Sequence, residues 1–292
     1  MKKIGFIGYG NMGQMIINNI LSLNLINPEK MIISTRTIAK LDKIEKQYPE
    51  IEITDDNGYL AKNCNKIFIF IETPEFQPLL EEINSYLDEN SYLIHVCAGL
   101  NFGNIANIYK GPVSQVIPSI ISTYNKSDHS DKLKYPNGVS LITHNEKVNT
   151  KNKDFCENLF SKFSYIKTIK TIENNEDMKI ATILTSCGPA FISLIIRKIA
   201  IIANSYSQDL TIEDMENLLI KTFYGTSKQL DNDNLAISEI ITKTATKKGI
   251  TETGLRYLDE EIDEIAINLF NQLFEKYSVV EDRLNSEYSI NQ

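Results

Sequence analysis

Residues 1–21 read MKKIGFIGYGNMGQMIINNIL, and the glycine spacing at their centre, Gly8-Tyr9-Gly10-Asn11-Met12-Gly13, decides the fold. A lone G-x-G-x-x-G match is a weak signal, so the flanks carry the argument. Ahead of it, residues 4–7 form a short apolar run of strand character. Behind it, Met12, Met15, Ile16, Ile20 and Leu21 recur at helical spacing. Strand, glycine turn and helix therefore follow in the order of a dinucleotide-binding unit. Gly8 allows the tight turn, Gly10 lets the backbone approach a pyrophosphate, and Gly13 lets the helix pack close to the strand. The first N–H groups of the helix, from Asn11 and Met12 onward, then face the phosphates with the positive end of the helix dipole behind them. The alternative is a glycine turn with no ligand.

The second strand, MIISTR at 31–36, ends in Ser34-Thr35-Arg36-Thr37. A site selective for NAD places a carboxylate here to bond the adenosine ribose. This chain offers hydroxyls and one cation instead. The planar fork of Arg36 suits a 2′-phosphate, so NADPH is the expected cofactor and NADH a possible one. The alternative is a solvated loop arginine. A helical segment at 38–48, a short strand at 52–54 and the apolar strand KIFIFIE at 66–72 follow. That last strand runs into Thr73-Pro74. SYLIHVCAGL closes on Ala98-Gly99 and SQVIPSI on Pro118. In open α/β sheets such strand ends lie at the carboxyl edge, where ligands bind, so Thr73, Pro74, Ala98, Gly99 and Pro118 join the glycine turn, Ser34, Arg36 and Thr37 as cofactor contacts.

Residues 124–136 are polar and aperiodic and read as an exposed loop. GVSLITH and YIKTIK resume strand character, after which the chain reads as helical. The expected organisation is α/β: a Rossmann-like domain over 1–170 with a mostly parallel sheet, then an all-α domain over 171–292. Within the latter, Ser186-Cys187-Gly188-Pro189 should break or kink a long apolar helix. Thr211 can cap another, and a glycine-bearing loop leads into an amphipathic helix ending near Tyr277.

The chain has 292 residues, 42% of them hydrophobic and 23% charged, with a net charge of −8. Nothing here gives the electrostatic footprint of nucleic-acid binding. AFISLIIRKIAIIA, the most apolar stretch, is interrupted by Arg197 and Lys198 and reads as too short for a membrane span. The N-terminal apolar residues belong to the strand and helix, not to a signal peptide. Cys64, Cys97, Cys156 and Cys187 form no C-x-x-C pair, and His95, His129 and His144 have no partner at metal-ligand spacing. The expectation is a cytoplasmic protein with reduced thiols and no metal.

Three ordered signatures, IGFIGYGNMG, LTSCGPAF and KKGITETGL, make nearly the whole chain resemble pyrroline-5-carboxylate reductase. IPSI, NGVSLI, SCGPAF and KGITETGL bring it nearest to the late-competence (ComER-type) branch of that family. The resemblance implies an intertwined homodimer that reduces a cyclic imine, L-1-pyrroline-5-carboxylate, to L-proline with NADPH. By position, Thr251 matches the threonine whose hydroxyl bonds the substrate nitrogen, and Gly249 and Gly254 match backbone positions near the substrate carboxylate. Thr251 also reads as a plain N-cap for a helix beginning near Glu252 or Thr253. Two departures stand out. Thr246-Lys247-Lys248-Gly249 replaces a Ser-Pro-Gly-Gly run, and Ser119 rather than Asn follows Pro118. They leave open a catalytically weak paralogue that binds NADP(H) in a regulatory role, and, further off, an oxidoreductase for another imine or a 2-hydroxy acid.

Overall fold

The computed structural model describes residues 2–122, 138–170, 176–232 and 235–289. The expected loop at 124–136, with His129, lies outside the described residues. Eight strands form one sheet: β1 (Lys3–Ile7), β2 (Met31–Ser34), β3 (Glu52–Thr54), β4 (Cys64–Ile69), β5 (Tyr92–His95), β6 (Val113–Pro118), β7 (Val139–His144) and β8 (Tyr165–Thr168). Their order is β3-β2-β1-β4-β5-β6-β7-β8. Every neighbouring pair is parallel except β6 and β7, which run antiparallel with Gln115 opposite Thr143. This is the mostly parallel, Rossmann-like sheet that the alternation of apolar runs predicts.

The central strands are apolar on both faces because both faces are covered. Along β4 and just beyond it, Phe68 and Phe70 enter one core while Ile67 and Ile69 enter the other. On the aromatic face Phe6 stacks on Phe68 with centroids 5.0 Å apart. That face is closed by Ile16, Ile17 and Ile20 of α1 (Asn11–Ser22), by Ile44 of α2 (Asp42–Gln47) and by Cys156 and Phe160 of α6 (Thr150–Phe160). The other face is closed by α3 (Asn57–Asn63), α4 (Thr73–Ile83) and α5 (Phe102–Ala106), together with Leu284 and Tyr288 near the chain's end. Helices α3, α5 and α6 go unannounced in the sequence reading. Two are seven residues or fewer, and α6 (TKNKDFCENLF) is mostly polar, with few apolar residues to mark a period.

The chain divides into two compact units, Met1–Ser186 with Tyr277–Gln292, and Cys187–Lys276. The sequence boundary at 170 differs because α7 (Glu176–Thr182) belongs with the sheet, its Met178 packing with Ile117, Leu141 and Ile169. The break expected at 186–189 takes the form of a π-helical turn, Ile183–Cys187, ahead of α8 (Gly188–Asn204). Pro189 has no N–H to donate, so the preceding turn cannot keep its regular bonding. The helical run Glu176–Asn204 is thereby continuous over 29 residues, long and apolar enough to cross a membrane by length and composition. The apolar stretch is therefore not too short for a span, because its 14 residues are part of this longer helix.

The second unit contains α8, α9 (Ile212–Asn232), α10 (Ile237–Thr244) and the first part of α11 (Ile250–Ser289). Thr211 caps α9 reciprocally: Asp214 N–H donates to Thr211 Oγ1 at 3.1 Å, and Thr211 N–H to Asp214 Oδ2 at 2.9 Å. The late helix runs on to Ser289, beyond the end expected near Tyr277. Large apolar side chains of this unit stand in solvent in the single chain, among them Leu194, Ile202, Leu218, Ile262 and Ile265.

Candidate active site

The glycine turn has the geometry its spacing demands. Gly8 adopts φ +96°, and a Cβ there would lie 2.4 Å from the Phe70 carbonyl oxygen. A Cβ on Gly13 would lie 2.4 Å from the Gly8 carbonyl oxygen, so α1 packs directly on the turn. Gly10 is different: nothing lies within 4 Å of its Cβ position. The space a side chain would fill is open to a ligand. Gln14 N–H donates to Gly10 O at 2.8 Å as the first bond of α1, which leaves the N–H groups of Asn11, Met12 and Gly13 without an intrahelical acceptor. Bare backbone, free donors and a helix N-terminus fit a dinucleotide pyrophosphate.

Residues after β2 divide by exposure. Ser34 is buried, its hydroxyl donating to Asn57 Oδ1 at 2.7 Å and its carbonyl accepting from Gly8 N–H at 2.9 Å. Its side chain braces the turn from beneath. Arg36 and Thr37 are exposed, and Arg36 Nη2 lies 2.8 Å from Glu75 Oε1 in the first turn of α4. Thr73 and Pro74 open α4. Pro74 costs no hydrogen bond in the first turn.

The loop after β5 is held by buried polar groups. Gln115 Nε2 donates to Cys97 O at 2.8 Å and to Leu100 O at 3.0 Å. Gly99 adopts φ +83° between them. The Cys97 thiol donates to Ile71 O, and burial pushes its pKa up to about 12, against a smaller lowering by Thr73, so it is no nucleophile. Asn101 and Asn104 form a reciprocal capping box on α5, and Asn104 Nδ2 donates to Asn285 Oδ1 at 2.9 Å. Beside this loop lies a cavity of about 630 Å³, walled by Ala98, Gly99, Gln115, Thr143, Lys179 and Glu281 among others. Lys179 Nζ lies 2.8 Å from Glu281 Oε2. Pro118 ends β6, and the hydroxyl of Ser119 beyond it is buried with no hydrogen-bond partner among the described residues. Gln115, Lys179 and Glu281 escaped the sequence reading. Gln115 sits inside an apolar strand pattern, and the other two are charges on helices, indistinguishable in sequence from a solvated face.

A second polar chain lies at the start of β5 and β6. Tyr92 Oη meets Ser114 Oγ at 2.6 Å, Ser114 Oγ meets His144 Nδ1 at 2.5 Å, and His144 Nε2 meets Glu157 Oε1 at 3.1 Å. Its order imitates a nucleophilic triad, but Ser114 is wholly buried and no substrate reaches it. Burial lowers the His144 pKa, with Glu157 opposing.

In the second unit Lys248 adopts φ +57° and its N–H bonds the Glu252 carboxylate. A Cβ on Gly249 would lie 2.3 Å from Thr246 Oγ1, so the close turn requires glycine. α11 begins at Ile250, which places Thr251 in its first turn and corrects the N-cap reading. Thr251 and Gly254 are exposed.

A glycine-cradled α/β sheet with a cavity at its carboxyl edge, followed by helices with exposed apolar faces, defines a two-domain dinucleotide-dependent oxidoreductase. Residues 3–99 match the family described as NADP oxidoreductase coenzyme F420-dependent, and residues 175–279 match pyrroline-5-carboxylate reductase dimerisation. The chain belongs to the pyrroline-5-carboxylate reductase family: it is 39% identical over 262 residues to pyrroline-5-carboxylate reductase of Methanobrevibacter smithii, covering 88% of this chain and 97% of that one. It is 28% identical to pyrroline-5-carboxylate reductase 3 of Bacillus subtilis, covering 98% of this chain and all of the relative. ComE operon protein 4 of the same organism is 27% identical, with 94% of this chain and 95% of the relative covered. The fold is shared with Plasmodium falciparum pyrroline carboxylate reductase with NADP bound, at a TM-score of 0.75 and 23% identity over 96% of this chain and 98% of that one.

Proposed function

We propose that the protein reduces L-1-pyrroline-5-carboxylate to L-proline with NADPH, as a cytoplasmic homodimer. The observation that carries this reading is the open Gly10 cradle on a chain alignable nearly end to end with a reductase of that name. The free N–H groups of Asn11, Met12 and Gly13 hold the pyrophosphate and Arg36 the 2′-phosphate. Gln115 keeps the Ala98–Gly99 backbone in place for the nicotinamide. When bound, NADPH would supply the hydride to the carbon of a substrate imine that binds already protonated, so the ring nitrogen keeps that proton in the product. Thr251 orients that nitrogen, and the backbone at Gly249 and Gly254 receives the carboxylate, as family position implies. The matched dimerisation segment and the exposed apolar residues of α8, α9 and α11 support a dimer, in which those faces are covered. Cys64, Cys97 and Cys156 are buried free thiols, which suits the reducing cytoplasm.

A second reading, a regulatory paralogue of low turnover, is favoured by one observation. Lys247 and Lys248 occupy the loop where reductases carry proline and glycine, and the relatives include ComE operon protein 4. A steady-state assay with the pyrroline substrate and either nicotinamide cofactor separates the two. Saturable oxidation of NADPH supports the reductase; cofactor binding without turnover supports the paralogue. Light scattering at micromolar concentration should return a dimer, and a monomer would defeat that part of the reading.

A further inference from the structure

The Arg36–Glu75 ion pair joins two loops that are not neighbours in the sheet. Arg36 follows β2 and Glu75 follows β4, and both strands flank β1. With adjacent strands about 4.8 Å apart, the two loops stand about 10 Å from each other, a gap that an arginine and a glutamate close by reaching toward one another. The pair therefore passes over the carboxyl end of β1, where Gly8 and Gly10 form the cofactor cradle. Glu75 lies in the first turn of α4.

We propose that this pair is a clasp across the adenosine end of the cofactor crevice, and that Glu75 sets dinucleotide affinity by competing for Arg36. Entry of the adenosine half opens the clasp for any dinucleotide. A 2′-phosphate then gives Arg36 a new anionic partner in place of Glu75. A dinucleotide with a free 2′-hydroxyl opens the clasp and gives Arg36 nothing in return. The inference rests on the reading of Arg36 as the 2′-phosphate ligand. It adds that the same arginine hinders cofactors lacking the phosphate, and that its carboxylate partner hinders both.

Both side chains reach solvent, so the effect is that of an exposed pair, about two- to five-fold in affinity. The test is calorimetric titration of the full-length protein with NADP⁺ and NAD⁺. Glu75→Gln should tighten both by about two- to five-fold. Arg36→Ala should weaken NADP⁺ yet tighten NAD⁺ by a similar factor. In the Arg36→Ala background, Glu75→Gln should no longer change NAD⁺ binding, because no clasp remains. Unchanged NAD⁺ affinity in either single variant overturns the clasp, as does weaker NADP⁺ binding in Glu75→Gln, which would make Glu75 a support for Arg36. A Glu75→Gln effect that persists without Arg36 also overturns it. Equal losses of both dinucleotides in Arg36→Ala would instead defeat the 2′-phosphate reading itself.

Discussion

Lys179 and Glu281 meet at 2.8 Å although 102 residues separate them, and their contact forms part of the cavity wall beside Gly99. Side-chain exposures of 17% and 29% mean that each is largely withdrawn from water. Removing one partner leaves the other desolvated and unpaired, which costs more than the pair's own attraction. Glu281→Ala should destabilise the protein by about 1–2 kcal/mol, below the 3–5 seen for fully buried pairs because both groups retain some solvent. The charge-swapped double variant Lys179→Glu/Glu281→Lys should recover most of that loss in urea unfolding. A swap no more stable than Glu281→Ala would show that the contact contributes nothing specific.

Thr251 offers a sharper kinetic prediction now that it is seen inside the first turn of α11 and not at its cap. Thr251→Val should leave thermal stability nearly unchanged. If the hydroxyl bonds the substrate nitrogen, the loss is that of a hydrogen bond to a charged group, about 1.5–3 kcal/mol, so turnover should fall about ten-fold to more than a hundred-fold. Thr251→Ser should keep most of the activity. Equal rates for Val and wild type in the steady state would remove Thr251 from the site.

His95 predicts a pH dependence of stability. It is wholly buried in β5, neither ring nitrogen has a partner among the described residues, the ring is edge-on to Phe76, and burial lowers its pKa to about 3. The unfolded chain takes up a proton on this ring near pH 6.5, whereas the native protein does not until about pH 3. Between those values the unfolded state binds more protons, so stability conferred by the neutral ring is complete above pH 6.5 and is lost as pH falls through the window. His95→Leu should flatten the acid side of the stability curve. Parallel urea titrations at pH 7 and pH 4.5 check it: the gap between the two midpoints should shrink in the variant.

The fold was legible in the sequence because its signals are local. The central strands show as apolar runs ended by Gly, Pro or polar clusters, the outer β3 (EIT) and β8 (YIKT) more faintly, and the glycine turn needs no distant partner to be recognised. What stayed hidden depends on contacts between remote positions. Ser34 reads as a surface hydroxyl, yet Asn57 draws it inward; Glu75 reads as a helix-start carboxylate, yet it holds Arg36. The cavity wall is the clearest case, since Gln115, Lys179 and Glu281 come from three elements with no sequence pattern in common. The apolar stretch interrupted by Arg197 and Lys198 looks short in isolation, whereas a widened turn at Ile183–Cys187 joins it to the helix ahead.

The left-handed backbone at Gly8 has a consequence for the order of events during synthesis. Its amide is bonded to Ser34, its α-carbon rests on the carbonyl of Phe70, and Phe70 N–H bonds back to Ile7. None of these partners exists when the first ten residues leave the ribosome. The glycine turn is thus shaped only once the chain through Phe70 has emerged and β4 has settled beside β1, with Phe6 stacked on Phe68. The nascent glycine turn is not templated early by a dinucleotide, and truncated chains ending before β4 should not be retained on an immobilised-nucleotide resin.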